Sequence, residues 1–470
     1  MAARSYWLDE ALAADPGAPC PPLTGATEAD VCIVGGGFAG LWTAYELTER
    51  DPGVDVALLE ATVCGAGGSG ANGGFFSSSW AFAGDLRRRY GDEPGLRWAT
   101  ALGDQVTELG RWCERHSADI DFHHEGIVYA RAGEWQTGPD RDTLMLLERR
   151  GLGERLREVD AAEARRVADS PRFSGGIFTP DLATVQPAKL ARELRRVCLE
   201  RGVRIYEGSR MVALHGGANG ALHSGANGAP PVVETAGGAV RAGRVVLTHG
   251  AWAAAQAEFA RAFAVGIDYM VVTEPIPELL AQIGWTSHCG LADRRQMLFY
   301  LRRTDDGRIA IGGGGMALAF GANIDGRVLV SRRLAELAAH GLVWLFPQLE
   351  GVRFDHAWSG PMDMTKSGLP FFTTLPGGKV HAGLGFSGHG LTSTKVGGRI
   401  LASLVLGADD EWTRLAVVRP PEPLPPEPLR WPMVRVAEWA YETSDRAAER
   451  GRSRPRLSGA VISLMERYAR

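Results

Sequence analysis

The sequence predicts an α/β protein in which a Rossmann-like dinucleotide-binding domain is joined to a second, α+β domain built on an antiparallel sheet. Three observations predict this class. A glycine-rich fingerprint near the N-terminus separates a strand pattern from a helix pattern, similar strand–helix units recur later, and a central stretch has alternating apolar residues. A chain of 470 residues is long enough for two large domains.

The fingerprint unit is the clearest local pattern in the chain. Val31–Val34 is a short apolar run with β-branched residues, typical of a buried strand, and Leu41–Arg50 has helical spacing of its apolar residues. Asp51–Gly53 breaks that helix, and Val54–Leu59 predicts the next strand, which ends at Glu60. The segment is therefore one β–α–β unit.

The turn of this unit, residues 35–40, reads Gly-Gly-Gly-Phe-Ala-Gly. Gly35 permits a tight turn, Gly37 lets backbone amides approach a pyrophosphate, and Gly40 lets the helix pack closely on the strand. Glu60 can accept hydrogen bonds from ribose hydroxyls. The predicted cofactor-binding residues of this unit are Gly35, Gly37, Phe38, Ala39, Gly40 and Glu60.

Three later segments continue the predicted ligand site. Residues 64–74 form a glycine-rich loop soon after Glu60, the strand Val245–Thr248 ends in a tight turn, and residues 385–390 (Gly-Phe-Ser-Gly-His-Gly) open a helix that runs to Leu406. The N-terminus of that helix would face a negative charge on a ligand. From these segments we predict cofactor contacts by Ser69, Asn72, Gly73, Gly74, Gly250, Gly385, Ser387, Gly388, His389, Gly390, Leu391 and Thr392.

The remaining elements follow from periodicity and turn residues. Helices are predicted at 187–201 and 331–346, strands at 203–206, 211–214, 270–273 and 380–385, and a hairpin of 298–301 with 309–311. Residues 216–231 contain the sequence Gly-Ala-Asn-Gly twice, which indicates a flexible hairpin insertion on the surface. Residues 419–432 contain seven prolines and predict a stiff connector to a helical tail.

Composition excludes several classes of protein. With 51 Lys and Arg against 55 Asp and Glu, the formal net charge of −4 gives no general attraction to nucleic acid or an anionic membrane. The six cysteines show no CxxC spacing, and residues 1–30 lack the apolar core of a signal peptide. No run approaches 18 apolar residues. We expect a reduced, cytoplasmic protein without a membrane span.

Taken together, these motifs resemble the D-amino-acid oxidase superfamily of FAD-dependent oxidoreductases, especially its gamma-glutamylputrescine oxidoreductase and sarcosine oxidase branches. The similarity extends over almost the whole chain and in the same order. It is carried by residues 5–8, 30–60, 69–74, 186–190, 272–275, 358–360 and 385–390. The resemblance implies a two-domain flavoprotein that binds FAD. It also implies oxidation of a C–N bond by hydride transfer to flavin N5, giving an imine that hydrolyses.

We predict that the FAD-binding domain is discontinuous and comprises residues 1–100, 176–256 and 371–412. Residues 101–175 and 257–370 would form the substrate domain, and residues 413–470 the proline-rich connector and helical tail.

Departures from the family pattern bear on cofactor attachment and substrate. Asn72 stands where some relatives attach FAD through His, and Ser359 near where others use Cys, which implies noncovalent FAD. Thr392 and Gly360 stand where relatives place a Lys or an Arg that holds a substrate carboxylate. An amine therefore fits better than a simple α-amino acid. A Lys that promotes reaction with oxygen also lacks a counterpart near Met316, so oxidase and dehydrogenase both stay open.

Several residues are expected to cover the reactive face of the flavin. We predict catalytic roles for His389, Tyr300 and Trp358, and substrate contacts by His123, Tyr269 and Arg302, with His124 as a further candidate. A metal site is not expected, because His123 and His124 have no third ligand at metal spacing. The expected partners are a small-molecule amine and oxygen or another electron acceptor. The alternatives are a flavin-dependent hydroxy-acid or polyol dehydrogenase and a non-catalytic flavin-binding protein.

Overall fold

The computed structural model describes residues 4–132, 138–216, 229–324, 326 and 328–469. The repeated Gly-Ala-Asn-Gly segments predicted to form a surface insertion lie within residues 217–228, outside the described residues. The strands on either side of them pair antiparallel with each other.

The helices of the described residues are α1 Tyr6–Ala14, α2 Phe38–Arg50, α3 Ala83–Tyr90, α4 Asp92–His116, α5 Gly138–Arg149, α6 Ala161–Val167, α7 Pro187–Glu200, α8 Pro277–Gln282, α9 Arg332–Leu345, α10 Gly390–Leu406, α11 Arg430–Glu449 and α12 Arg456–Ala469. The strands are β1 Gly25–Val34, β2 Val56–Leu59, β3 Phe75–Ser77, β4 Ile127–Ala130, β5 Arg157–Val159, β6 Gly176–Thr179, β7 Leu182–Thr184, β8 Arg204–Tyr206, β9 Met211–His215, β10 Val232–Thr235, β11 Gly238–Leu247, β12 Phe263–Thr273, β13 Gly290–Asp293, β14 Phe299–Arg303, β15 Ile309–Gly313, β16 Ala317–Leu318, β17 Phe354–Thr365, β18 Phe371–Thr374 and β19 Val380–Leu384.

The first sheet has the strand order β18-β19-β11-β1-β2-β8, with β10 paired to β11 and β9 to β10. From β19 to β8 neighbouring strands are parallel. All residues of β2 are buried, as expected for a parallel strand covered on both faces. Because the carboxyl ends of parallel strands meet at one edge, β1, β2, β11 and β19 deliver the segments that follow them to the same place.

The second sheet has the order β16-β12-β15-β14-β13-β4-β6-β5, with β17 paired along almost the whole of β12. Its pairs are antiparallel except for β13 with β4. The α/β class with an antiparallel second sheet is therefore confirmed. Strand β6, at 176–179, begins a segment predicted to belong to the first domain, but it hydrogen-bonds within the second sheet. The predicted domain boundaries otherwise stay predictions.

The C-terminal tail forms two helices, α11 and α12, and α11 packs back onto the second sheet. The carboxylate of Asp445 accepts hydrogen bonds from the backbone N–H groups of Gln296 and Met297 at 3.1 and 2.9 Å. Glu449 pairs with Arg295 at 2.6 Å. The tail therefore supports the segment between β13 and β14. Within the described part of the chain, no helix is long and apolar enough to cross a bilayer.

Candidate active site

A cavity of about 880 Å³ lies at the carboxyl edge of the first sheet and reaches the face of the second. Its wall brings together segments that are far apart in sequence. They are residues 34–39, 59–62, 66–73, 209–212, 248–252, 296–300, 313–316, 360–363 and 386–392, with single residues that include Asp268. The cavity therefore joins the glycine-rich fingerprint to side chains of the antiparallel sheet.

The glycines of the fingerprint are required by close approaches. Gly35 has a φ of +113°, and a Cβ added there would lie 2.8 Å from the carbonyl oxygen of Thr248. A Cβ on Gly40 would lie 2.0 Å from the carbonyl oxygen of Gly35, so this position allows the helix to pack on its own turn. A Cβ on Gly37 would lie 2.8 Å from Ser69 Oγ, which accepts the Phe38 N–H at 2.9 Å. The turn leaves backbone exposed to the cavity at the N-terminus of α2.

Glu60 follows β2 directly and borders the same turn. One of its carboxylate oxygens accepts the Gly36 N–H at 2.8 Å and the other accepts the Thr62 N–H at 2.8 Å. Burial raises the pKa of this carboxyl group. Since a carboxylate offers about four acceptor sites, Glu60 retains capacity for hydroxyl donors from the cavity.

The loop of residues 66–74 is held by its own side chains. The Asn72 amide nitrogen donates to the carbonyl oxygens of Gly68 and Ser69 at 3.1 and 2.6 Å, and its oxygen accepts the Gly74 N–H at 2.8 Å. Trp358 lies behind the loop, outside the cavity wall, and its indole N–H donates to the Ala71 carbonyl at 2.9 Å. Trp358 therefore supports the loop, and the structure does not bring it to the predicted catalytic position.

The late loop, residues 385–390, is anchored by a residue that sequence reasoning missed. Asp363, near the end of β17, accepts the backbone N–H groups of Gly385 at 2.6 Å and Phe386 at 3.0 Å. Its carbonyl oxygen accepts the Ser387 N–H at 3.2 Å. Burial raises the pKa of the Asp363 carboxyl to about 6, although these hydrogen bonds oppose the shift. An acid between two methionines in a strand gave no sequence signal of this role.

His389 within this loop and Thr392 after it face the cavity. His389 Nδ1 lies 3.1 Å from the Ser387 carbonyl, to which it donates, and desolvation lowers the pKa of His389. The Thr392 hydroxyl, in the first turn of α10, is buried and has no hydrogen-bond partner in the described part of the chain. A buried hydroxyl without a partner at a cavity wall suits a polar ligand.

At the opposite end of the cavity, Tyr300 on β14 donates its hydroxyl to Asp268 Oδ2 on β12 at 2.5 Å. The other oxygen of Asp268 accepts the Tyr269 N–H at 2.9 Å. Burial raises the pKa of Asp268 to about 6, and burial together with Asp268 raises the pKa of Tyr300 well above its usual value. Sequence reasoning predicted Tyr300 but missed Asp268, because an acid in an apolar strand shows its partner only after the strands pair.

Glycines on neighbouring segments make room for this pair. A Cβ on Gly312 of β15 would lie 2.3 Å from the Tyr300 hydroxyl oxygen, and a Cβ on Gly73 would lie 2.7 Å from the Tyr300 ring. The ring also meets Phe75 edge to face at 5.7 Å. Tyr300 therefore sits in a close-fitting place between the loop of residues 66–74 and the second sheet.

The structure brings most of the predicted cofactor residues into one wall. These are Gly35, Gly37, Phe38, Ala39, Glu60, Ser69, Asn72, Gly73, Gly250, Ser387, Gly388, His389, Gly390, Leu391 and Thr392. Three predicted glycines, Gly40, Gly74 and Gly385, lie behind the wall. Gly74 and Gly385 have φ values of +74° and +81°, so the backbone conformation of their loops requires glycine at these positions.

The predicted substrate residues His123, Tyr269 and Arg302 do not line the cavity. Tyr269 alternates with Asp268 along β12, so its ring points to the other face, where its hydroxyl donates to the Val328 carbonyl. The Arg302 guanidinium is buried over the Trp7 ring and donates to the Val185 carbonyl. His124 binds the Pro180 carbonyl at 3.0 Å. These residues contribute to packing around the site.

His123 lies in a separate surface cluster. Its ring stacks on His288 at 3.6 Å, and its Nε2 lies 2.8 Å from Asp305 Oδ1. One potential ligand atom from each of the three residues lies within 4.8 Å of the others. The spacing argument, that His123 and His124 have no third ligand at metal spacing, did not reveal His288 and Asp305, because these residues come from distant segments. The absence of a metal site stays a prediction.

Comparison with known proteins decides the family. Residues 30–404 match the family model described as DAO, FAD dependent oxidoreductase. The chain belongs to this family. It is 30% identical over 450 residues to gamma-glutamylputrescine oxidoreductase of Escherichia coli (strain K12), a match that covers 93% of this chain and 97% of the relative.

Two further matches agree with this family. Glycine oxidase of Geobacillus kaustophilus (strain HTA426) is 25% identical over 390 residues, covering 80% of this chain and 92% of the relative. The crystal structure of L-proline dehydrogenase from P. horikoshii superposes with a TM-score of 0.66 at 19% identity, covering 84% of this chain and 96% of that one, and shows the shared fold. The chain is thus an FAD-dependent oxidoreductase, and its residues fit FAD: the exposed fingerprint backbone, the remaining acceptor site of Glu60 and the unpartnered Thr392 hydroxyl face one cavity.

Proposed function

We propose that this FAD-dependent oxidoreductase oxidises a C–N bond in an amine, or in a larger molecule that carries an amino group, to an imine that water hydrolyses. One observation carries the proposal: the end of the cavity remote from the fingerprint presents an acid–hydroxyl pair, Asp268 and Tyr300, and no Arg or Lys among the described lining residues there. The names of gamma-glutamylputrescine oxidoreductase and glycine oxidase support an amino-group substrate.

The proposal assigns the cofactor to the loop side of the cavity. The N-terminus of α2, with the backbone of Gly37 and Phe38, would hold the pyrophosphate, and Glu60 would accept ribose hydroxyls. The 66–74 loop and the first turn of α10 would hold the flavin end. When bound, FAD accepts the hydride from the carbon that bears nitrogen.

The binding would be noncovalent. Asn72, which stands where some relatives carry an attaching His, uses its amide for hydrogen bonds within its own loop. Ser359, which stands near the attaching Cys of others, donates its hydroxyl to the Leu329 carbonyl at 2.9 Å. Acid-precipitated protein should therefore release all its flavin into the supernatant.

The protein's part in the reaction is to position the substrate and to keep its nitrogen unprotonated. Asp268 with Tyr300, in the cavity wall, marks where a polar hydrogen of the substrate would be received. His389 adds a further hydrogen-bonding group to the cavity wall. These groups orient the substrate and hold its proton, so no further acid–base pair is needed.

The test is an anaerobic titration of the yellow protein with primary amines, N-methyl amino acids, hydroxy acids and polyols, followed in the visible flavin band. Bleaching by amines supports the proposal, and readmitting air then distinguishes an oxidase from a dehydrogenase. Bleaching by hydroxy acids or polyols alone would contradict it in favour of alcohol oxidation. A bound flavin that no class bleaches would favour a non-catalytic flavoprotein.

A further inference from the structure

Asp268 is a partly buried carboxylate without a basic partner among the described residues. Two other buried acids have a basic partner, Asp293 with Arg295 at 2.7 Å and Asp181 with Arg155 at 3.0 Å, whereas Asp363 is compensated by the backbone N–H groups of its loop. The groups that hydrogen-bond to Asp268 are the Tyr300 hydroxyl and backbone N–H groups, all of them neutral. Because removing a charge from water is costly unless an opposite charge compensates it, Asp268 is poised for a cation.

The cavity wall supplies no such cation near Asp268. Among the described lining residues, Arg210 is the one Arg or Lys. The backbone N–H of its neighbour Ser209 donates to the Glu60 carbonyl at 2.7 Å. Arg210 therefore belongs to the fingerprint end. A compensating cation at the Asp268 end has to come from the ligand.

The hydrogen bonds of Asp268 also leave part of its capacity unused. One oxygen accepts the Tyr300 hydroxyl and the other the Tyr269 N–H, with Gly313 as a further backbone donor. A carboxylate has about four acceptor sites, so one faces the cavity. The hydroxyl of Tyr300 holds the carboxylate, and the missing side chains of Gly312 and Gly73 let the Tyr300 ring lie close against their backbone.

We propose that Asp268 binds the protonated amino group of the substrate and, steadied by Tyr300, accepts one proton from it, so that the site selects amines without an adjacent carboxylate. In this step one N–H bond of the ammonium breaks and one O–H bond forms on Asp268, leaving a neutral amine and a neutral acid. A carboxylate next to the amino group would be repelled by Asp268 and would find no cation at this end. The proposal rests on the proposed amine oxidation and names its binding group.

The experiment uses three probes of one shape on the FAD-loaded protein. tert-Butylamine, tert-butanol and 2-aminoisobutyrate have the same branched carbon, and neither amine carries a hydrogen on the carbon that bears nitrogen, so neither can be oxidised. Binding is measured by perturbation of the flavin band and by calorimetry. We expect saturable binding of tert-butylamine, with tert-butanol and 2-aminoisobutyrate at least tenfold weaker.

Variants then connect this selectivity to Asp268. Asp268→Asn should bind tert-butylamine at least tenfold more weakly with unchanged FAD content, and Asp268→Glu should recover part of the affinity. Asp305→Asn is the matched control, because it removes an acid that lies outside the cavity wall, and it should bind like the wild type. If Asp268→Asn does not fold, the order of the affinities of the wild type for the three probes tests the proposal.

The proposal is overturned by equal affinity of wild type and Asp268→Asn for tert-butylamine, by wild-type binding of tert-butanol or 2-aminoisobutyrate as tight as that of tert-butylamine, or by no saturable binding. Failure of the proposed function would look different. Selective binding of tert-butylamine without bleaching by any oxidisable amine would retain the ammonium site and discard the oxidation. Equal bleaching of wild type and Asp268→Asn by amines would retain the amine oxidation and discard the ammonium site at Asp268.

Discussion

Asp363 and Asp268 face the same cavity from different walls, and burial raises the pKa of each to about 6. By the loop wall we mean the fingerprint turn and the loops of residues 66–74 and 385–390, and by the sheet wall the strands β12 and β14. Asp363, near the end of β17, holds the loop wall, since it accepts two backbone N–H groups from residues 385 and 386. Asp268 belongs to the sheet wall, where a tyrosine hydroxyl and backbone N–H groups leave it facing open space. The same raised pKa thus accompanies two roles of an acid. Asp363 holds a loop in place, and Asp268 is available to bind a ligand.

The comparison also shows that a shifted pKa does not by itself identify a binding group. The difference lies in what the carboxylate oxygens touch. Perturbed groups occur both at functional sites and in structural networks, and only the geometry distinguishes them. Four experiments would sharpen or break the contrast between the loop wall and the sheet wall.

The largest effect is expected from a new carboxylate in the loop wall. Gly37→Asp should abolish FAD binding, because its Cβ would crowd Ser69 Oγ and its charge would oppose the pyrophosphate at the N-terminus of α2. Gly37→Ala, which adds the Cβ without the charge, should keep more flavin. Flavin content of the purified proteins is the measurement, and a yellow Gly37→Asp protein would contradict our placement of the cofactor.

The next effect separates the two acids directly. Asp363→Asn should destabilise the fold by about 1–3 kcal/mol and weaken FAD binding, since an amide NH₂ would face the N–H groups of Gly385 or Phe386. Asp268→Asn should leave the stability unchanged or raise it, because it removes an uncompensated buried charge. Chemical denaturation and FAD titration of both variants test this. Equal losses would remove the distinction between the walls.

The pH dependence of stability follows from the raised pKa of Asp268. A carboxyl whose pKa is higher in the folded state than in the unfolded state favours folding below its unfolded pKa of about 4, and this contribution is lost as pH rises toward 6. Relative to wild type, Asp268→Asn should therefore gain stability on going from pH 4.5 to 7.5, on the order of 1–3 kcal/mol. Melting curves at both pH values measure it, and a constant difference would contradict the raised pKa.

The smallest effect concerns the hydroxyl of Tyr300. Tyr300→Phe removes one hydrogen bond to Asp268, so the carboxyl should become harder to ionise and amine affinity at pH 7 should fall a few-fold. Below pH 6 the gap between variant and wild type should narrow, as both carboxyls become protonated. The pKa of Tyr300 itself is raised well above its usual value, so its hydroxyl stays protonated over this range.

Tyr269→Phe is the control for this last variant, since its hydroxyl bonds the Val328 carbonyl on the other face of the sheet. Binding of tert-butylamine by both variants across pH gives the comparison. A larger loss in Tyr269→Phe than in Tyr300→Phe would be evidence against the assigned pair.

The sequence predicted the loop wall far better than the sheet wall, for a physical reason. The glycine fingerprint is a local pattern, since Gly35 has a φ of +113° in its turn and Gly40 must lie against the carbonyl oxygen of Gly35, five residues before it. The sheet wall depends on which strands pair and in what register. Asp268 meets Tyr300 only because β14 and β12 both pair with β15. Arg302 and Trp358 looked chemically suitable, but the same pairing turned them toward packing.

The position of α11 has a consequence for how the substrate specificity of the enzyme can evolve. The family match ends at residue 404, yet Asp445 of α11 supports the backbone of Gln296 and Met297, which line the cavity. The C-terminal helix α11 therefore supports the wall of the cavity although it lies outside the family match. Truncating or replacing this helix would change the shape of the cavity, so substitutions that contact no ligand can change the substrate specificity.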